Sequence, residues 1–246
     1  MDNIRDIEQQ RRELRGWLRE DDPAQALFAY YFLYHPANRV RLHVSHDKAG
    51  RVNGALAECV TGYDLFRPLV VMLAEDEAAL SRLILEGVPR QRPFFLLGSL
   101  SYESAWAAHV SLSDSAIYRL CVLDRAHFEP IINVLVTSAQ SPDGLPRFEI
   151  RAPAGVMAAA SLNWRSPRFA EIGVYTEPAV RGRRWGESVV SALCASLLQE
   201  GITPLYLADE DNEASQRLAE RVGFRDTGRR LLFAAAQWKQ AGSPGE

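Results

Sequence analysis

Apolar and polar positions alternate between helical and strand periods along the chain. Ile4, Ile7, Leu14, Trp17 and Leu18 form a narrow apolar stripe among charges, which predicts an amphipathic helix over residues 4–20. Asp22 and Pro23 break it and open a second helix over 24–34, rich in aromatics and ended by Pro36. Residues 39–45 alternate with period two, 47–50 read as a turn, and 52–60 return as a hairpin. A buried-type strand is predicted over 68–74, a helix over 75–86 closed by Gly87, and a strand over 93–97. A helix over 102–110 and a strand over 116–123 follow.

A similar order then returns. The pattern predicts a helix over 124–135, strands over 147–151, 156–163 and 170–176, and a helix over 184–199. A strand over 204–208, a helix over 213–222 and strands over 224–226 and 230–236 complete it. Two structurally similar halves, 1–125 and 126–246, are expected, although no residue-level repeat is visible.

The stretch over 170–186, AEIGVYTEPAVRGRRWG, carries the chemistry. Ile172, Val174, Tyr175 and Thr176 suit a strand, and Pro178 ends its ladder. Val189, Val190, Leu193 and Leu197 then share one helical face. A loop rich in Gly and Arg at a helix N-terminus suits an anion, because free N–H groups and the helix dipole both face it. A solvated turn before an ordinary helix reads the same way. Neither G-x-G-x-x-G nor G-x-x-x-x-G-K-[ST] is present.

Composition narrows the field. The 246 residues are 47% hydrophobic and 24% charged, with a net charge of −3, which argues against a general nucleic-acid binder. No apolar run approaches the roughly 20 residues that span a bilayer, so no membrane partner is expected. The charged N-terminus does not read as a secretory signal. Cys59, Cys121 and Cys194 lack C-x-x-C spacing, so neither a metal nor a disulfide framework is expected, and a cytoplasmic location fits. Cys194 reads as core packing.

Arg181-Gly182-Arg183-Arg184-Trp185-Gly186 resembles the acyl-CoA pyrophosphate loop [QR]-x-x-G-x-[GA] of the GNAT superfamily of N-acyltransferases. Arg181 and Gly186 match, and Arg184 replaces the first motif glycine. A second anchor, N-x-x-[AS] opening a helix that ends in G-F, is matched by Asn212, Ser215, Gly223 and Phe224. The resemblance covers roughly residues 145–236. It implies an α/β fold of the α+β kind, with a mixed, mostly antiparallel sheet flanked by helices. It also implies acetyl-CoA or another acyl-CoA as co-substrate, no metal, and a small-molecule primary amine as acceptor. The pantetheine arm would lie along the backbone of Val174, Tyr175 and Thr176, with Gly173 marking the bulge that splays the strand. The pyrophosphate would lie on the loop from Arg181 through Gly182, Arg183, Arg184, Trp185 and Gly186 to Glu187. Asn212 and Ser215 would face the pantetheine or the sulfur. As a helix cap and a first-turn serine, the same two residues need no ligand.

Many members of the superfamily protonate sulfur with a tyrosine seven residues after the asparagine; Ala219 stands there. Glu171 is the candidate base, and a rim carboxylate paired with Arg168 is the alternative reading. The first half reads Ala-Glu-Asp-Glu-Ala over 74–78 where an anion loop would fall, so it is expected to hold no cofactor. It would form a wall of the acceptor site or a homodimer surface. A non-catalytic acyl-CoA sensor and a protein acyltransferase are the competing readings.

Overall fold

The computed structural model describes residues 2–62 and 64–239. The side chains of residues 2–5, and with them the Ile4 position of the first stripe, lie outside the described residues. The chain divides into two compact units, Met1–Tyr118 with Arg230–Glu246, and Arg119–Arg229. Where the sequence suggested one break after residue 125, the chain crosses between units twice, at 118/119 and 229/230.

The first unit opens with α1 (Asp2–Trp17) and the short α2 (Ala26–Ala29), which runs into one π-helical turn, Tyr30–Tyr34. The hairpin is β1 (Val40–His46) and β2 (Val52–Cys59), followed by β3 (Leu69–Ala74). Then come α3 (Glu77–Gly87), β4 (Phe94–Ser99), α4 (Glu103–His109) and β5 (Val110–Leu123). Strands β1, β2 and β3 pair antiparallel, and β4 joins β3 in parallel after α3. Leu56, Val70, Met72, Ile84, Phe94 and Trp106 fill the core beneath α3 and α4. Gly87 is the last residue of α3, and its place is set by packing: an added Cβ would meet the His43 ring at 3.2 Å.

The second unit takes the end of β5 and then an irregular segment over 124–136. The helix predicted there does not form. Pro130 lacks a donor, the Ile131 N–H donates to Ser191 Oγ at 2.8 Å, and the Asn133 side chain donates through Nδ2 to Ser188 Oγ at 3.1 Å. Next are β6 (Thr137–Gln140), not anticipated from sequence, β7 (Pro146–Ala152), β8 (Gly155–Arg165) and β9 (Phe169–Thr176). They are followed by α5 (Trp185–Gln199), β10 (Thr203–Asp209), α6 (Glu213–Val222) and β11 (Phe224–Trp238). The two strands expected after α6 are one. Gly228 takes a positive φ of 76°, and Asp226 Oδ1 accepts its N–H at 2.7 Å, so the turn-like Asp-Thr-Gly is absorbed within the strand.

The strand order in this unit is β6-β7-β8-β9-β10-β5-β11. Strands β7, β8 and β9 pair antiparallel, and β10 joins β9 in parallel after α5. The two units therefore repeat one topology: three antiparallel strands, a helix, a parallel strand and a second helix. Val189, Leu193, Cys194 and Leu197 of α5 are buried against Ile172, Tyr206 and Phe224, which places Cys194 in the core as its helical position implied.

Candidate functional site

The site forms where β9 and β10 part. Their parallel register covers Thr203↔Phe169, Pro204↔Ala170 and Leu205↔Glu171, and stops. From Ile172 to Thr176, β9 keeps its β8 neighbour but has no strand register on the β10 side. Those backbone groups are positioned to take an extended ligand as an added strand. The bulge beside this point lies in β8, not at Gly173. The β8–β9 register shifts between Leu162 and Trp164, setting Asn163 out of line. Gly173 makes room for it, since an added Cβ would stand 2.7 Å from Asn163 Oδ1.

The side chains around that bulge converge on Glu171. Asn163 Nδ2 donates to one carboxylate oxygen at 2.7 Å, and Trp164 Nε1 to the other at 2.5 Å. Glu171 is buried rather than on the rim, and the partners of its carboxylate among the described residues are Asn163 and Trp164. Burial raises its pKa, and the two hydrogen bonds act against that rise. Tyr175 lies farther along β9, exposed, with its hydroxyl donating to Glu177.

Beyond β9 the chain makes a 3-10 turn, Pro178–Val180, and enters α5 through the arginine loop. Gly182 has φ 81°, and Arg184, at the N-cap, is left-handed with φ 59° and ψ 19°. That is a glycine conformation, adopted at the position where the family motif carries glycine. The first intrahelical bond is Ser188 N–H to the Arg184 carbonyl at 3.1 Å, so the amides of Trp185, Gly186 and Glu187 have no acceptor within the helix. No side chain caps them. The arrangement can bind an anion through backbone donors and the helix dipole together.

The arginines divide their work. Arg184 Nε is held 2.7 Å from Glu187, whose other oxygen lies 3.0 Å from Arg221 Nη1. Its guanidinium is therefore committed to a buried carboxylate, and its contribution to the loop is backbone shape. Arg181 and Arg183 are exposed and make no ion pair among the described residues; Arg183 lies over the Trp185 ring at 5.3 Å. Gly186 is wedged against the end of β9, where an added Cβ would stand 2.8 Å from Thr176 Oγ1 and 2.9 Å from Leu218 Cδ1 of α6.

Asn212 caps α6, its side chain accepting the Ser215 N–H at 3.0 Å. Ser215 Oγ in turn lies 2.9 Å from the hydroxyl of Tyr206, a β10 residue that the sequence reading passed over. Ala219 is 2% exposed and part of the core, so its side chain does not line an open site.

The first unit builds the equivalent corner differently. Asp76 caps α3, accepting the Ala79 N–H at 2.7 Å. The Tyr102 hydroxyl donates to the Ala74 carbonyl at 2.8 Å and accepts the Ala74 N–H at 3.1 Å, occupying both backbone groups at the end of β3.

Residues 150–229 match the family model of the GNAT acetyltransferase. The second unit belongs to the GNAT superfamily. No curated protein matches the chain. Among solved structures the chain resembles a Drosophila protein, with TM-score 0.64, 13% identity, and 95% of this chain and 87% of that one covered. It also resembles a GCN5-related N-acetyltransferase from Kribbella flavida, with TM-score 0.58, 13% identity, and 85% and 95% covered. A tandem GNAT protein from the clavulanic acid biosynthesis pathway aligns with TM-score 0.55, 14% identity, and 86% and 87% covered. These likenesses concern the fold, and the tandem example agrees with the repeated topology of the two units. Among the described residues, no cluster of three or more His, Cys, Asp or Glu could hold a metal ion. No described helix is long and apolar enough to cross a membrane.

Proposed function

We propose that the protein transfers an acyl group, most simply acetyl, from acyl-CoA to a primary amine of a small molecule, in the cytoplasm. The observation that carries this reading is the uncapped N-terminus of α5, shaped by left-handed Gly182 and Arg184, at the point where β9 loses β10. Acyl-CoA would lay its diphosphate on the amides of Trp185, Gly186 and Glu187, with Arg181 and Arg183 adding charge. The pantetheine would follow Val174, Tyr175 and Thr176, with Asn212 and Ser215 near its sulfur end. In the first unit, the Asp76 cap and the Tyr102 hydroxyl take the equivalent places, which supports one acyl-CoA per chain.

Acyl transfer requires the attacking nitrogen to give up a proton as its bond to the acyl carbon forms. Glu171 is the base we assign. A carboxylate with a raised pKa is closer to neutrality, where a general base is most effective. The C–S bond breaks with its electron pair on sulfur, and a thiol pKa of about 8.5 makes that thiolate a fair leaving group.

The test is a thermal-shift titration with acetyl-CoA and longer acyl-CoAs, then thiol release with a panel of primary amines. Stabilisation by acyl-CoA and amine-dependent thiol release are expected. No shift at millimolar CoA would overturn the reading. A second reading, acyl-CoA binding without turnover, is favoured by the buried Ala219 at the family's acid position. Stabilisation without thiol release from any amine would select it.

A further inference from the structure

Tyr206 follows Leu205, the last β10 residue in register with β9. Its ring is in the core, 2% exposed and 5.5 Å from the Phe224 ring. Burial raises its pKa, so the phenol keeps its proton at neutral pH. A buried O–H must find an acceptor or forfeit a hydrogen bond. Ser215 Oγ, at 2.9 Å, is the one acceptor within reach of this phenol among the described residues. Tyr206 therefore donates and Ser215 Oγ accepts.

That direction fixes the serine. The Ser215 N–H is already given to Asn212 Oδ1, and one oxygen lone pair is given to Tyr206. The hydroxyl proton of Ser215 has no partner among the described residues, and the side chain is only half-buried. A serine hydroxyl normally rotates to suit its surroundings as donor or acceptor. Here the phenol leaves it the donor role.

We propose that Tyr206 is a positioning residue that holds the Ser215 hydroxyl as a donor toward the departing sulfur. This rests on the acyltransferase reading. In the step, the N–C bond forms and the C–S bond breaks. The electron pair goes to sulfur, and the nitrogen proton goes to Glu171. The charge on sulfur is met by the Ser215 O–H, and the proton that completes the free thiol comes from water. Tyr206 is never deprotonated. The pair supplies what Ala219 does not: a donor at sulfur, delivered from the first turn of α6 rather than its second.

The experiment compares Tyr206→Phe, Ser215→Ala and the double variant by thiol release with the most active amine of the panel, and by the acetyl-CoA thermal shift. Each single change should lower kcat roughly ten- to a hundredfold, the range for a hydrogen bond to a charged group. KM for acetyl-CoA and the thermal shift should stay within about twofold and about a degree of wild type. The double variant should be no slower than Ser215→Ala, because the phenol acts only through the serine. Ser215→Thr should recover part of the rate that Ser215→Ala loses. Undiminished kcat in Tyr206→Phe, additive losses, or a kcat loss that follows weakened acetyl-CoA binding would each overturn the role. Should Tyr206→Phe not fold, equal kcat in Ser215→Ala and wild type would overturn it. Wild-type protein without thiol release defeats the transferase reading and this role together; active wild type with active Tyr206→Phe defeats this role alone.

Discussion

The Cα of Gly186 faces Thr176 so closely that an added Cβ would stand 2.8 Å from the threonine Oγ1, with Leu218 Cδ1 at 2.9 Å on its other side. Real Cβ contacts do not come so near, so the Thr176 or Leu218 side chain, or the start of α5, must shift. Gly186→Ala should cost about 1–3 kcal/mol by overpacking. It should also weaken CoA binding, because the shift falls on the helix end proposed to hold the diphosphate. Urea unfolding and calorimetry with CoA check both, and an alanine variant of wild-type stability would show that the corner is loose.

Arg184 offers a cleaner separation of backbone from side chain. Arg184→Ala and Arg184→Gly both remove the guanidinium that pairs with Glu187, but only alanine keeps a Cβ in the left-handed conformation. Arg184→Gly should therefore be more stable than Arg184→Ala by about 1–2 kcal/mol. Equal unfolding midpoints would mean that the turn is not left-handed in solution.

The exposed arginines should separate binding from folding. Arg181→Glu with Arg183→Glu places two carboxylates beside the uncapped helix end, where they repel a diphosphate. CoA affinity should fall at least about a hundredfold, while the melting temperature of the free protein changes by only a few degrees. Wild-type affinity by calorimetry would reduce the loop to a solvated turn.

Glu171 makes stability depend on pH in a stated direction. Its pKa is raised in the folded protein by burial, above an ordinary value of 4.5. Between those two values the folded state holds more protons than the unfolded chain, so this group's contribution falls as pH rises. Trp164→Phe removes one donor to the carboxylate and should extend the window upward. The variant should lose about 1–2 kcal/mol more at pH 8 than at pH 4. The cavity left by the indole is the same at both, so an equal loss would show that the hydrogen bond does not favour the charged form.

Much of the second unit was legible because its signals are local. The β-branched run before Pro178, the arginine loop and the cap-and-stop of α6 each declare themselves within a few residues. What escaped the sequence depends on distant partners. Ser188 and Ser191 look like ordinary helix residues, yet Ser191 accepts the Ile131 backbone N–H and Ser188 the Asn133 side-chain amide where a helix was expected. Arg184 reads as free charge until Glu187 and Arg221 are seen around it. Tyr206 looks like one more strand aromatic, and only the fold brings Ser215 within 2.9 Å. Tyr102 is the same kind of case, since nothing near it in sequence points to Ala74, 28 positions earlier.

Strand β11 carries a consequence for how the chain is made. Leu231–Ala236 pair with Phe94–Ser99 of β4, so the first unit is completed by a strand synthesised only after the second unit. Leu232, Ala234 and Ala236 lie in its core. A nascent chain that has finished residues 1–118 exposes the open edge of β4 until the whole second unit has been synthesised. Cutting the gene between the apparent halves would therefore yield a first fragment with an unfilled core and a bare strand edge, prone to aggregate. A circular permutant that starts near Arg230 would deliver that strand first.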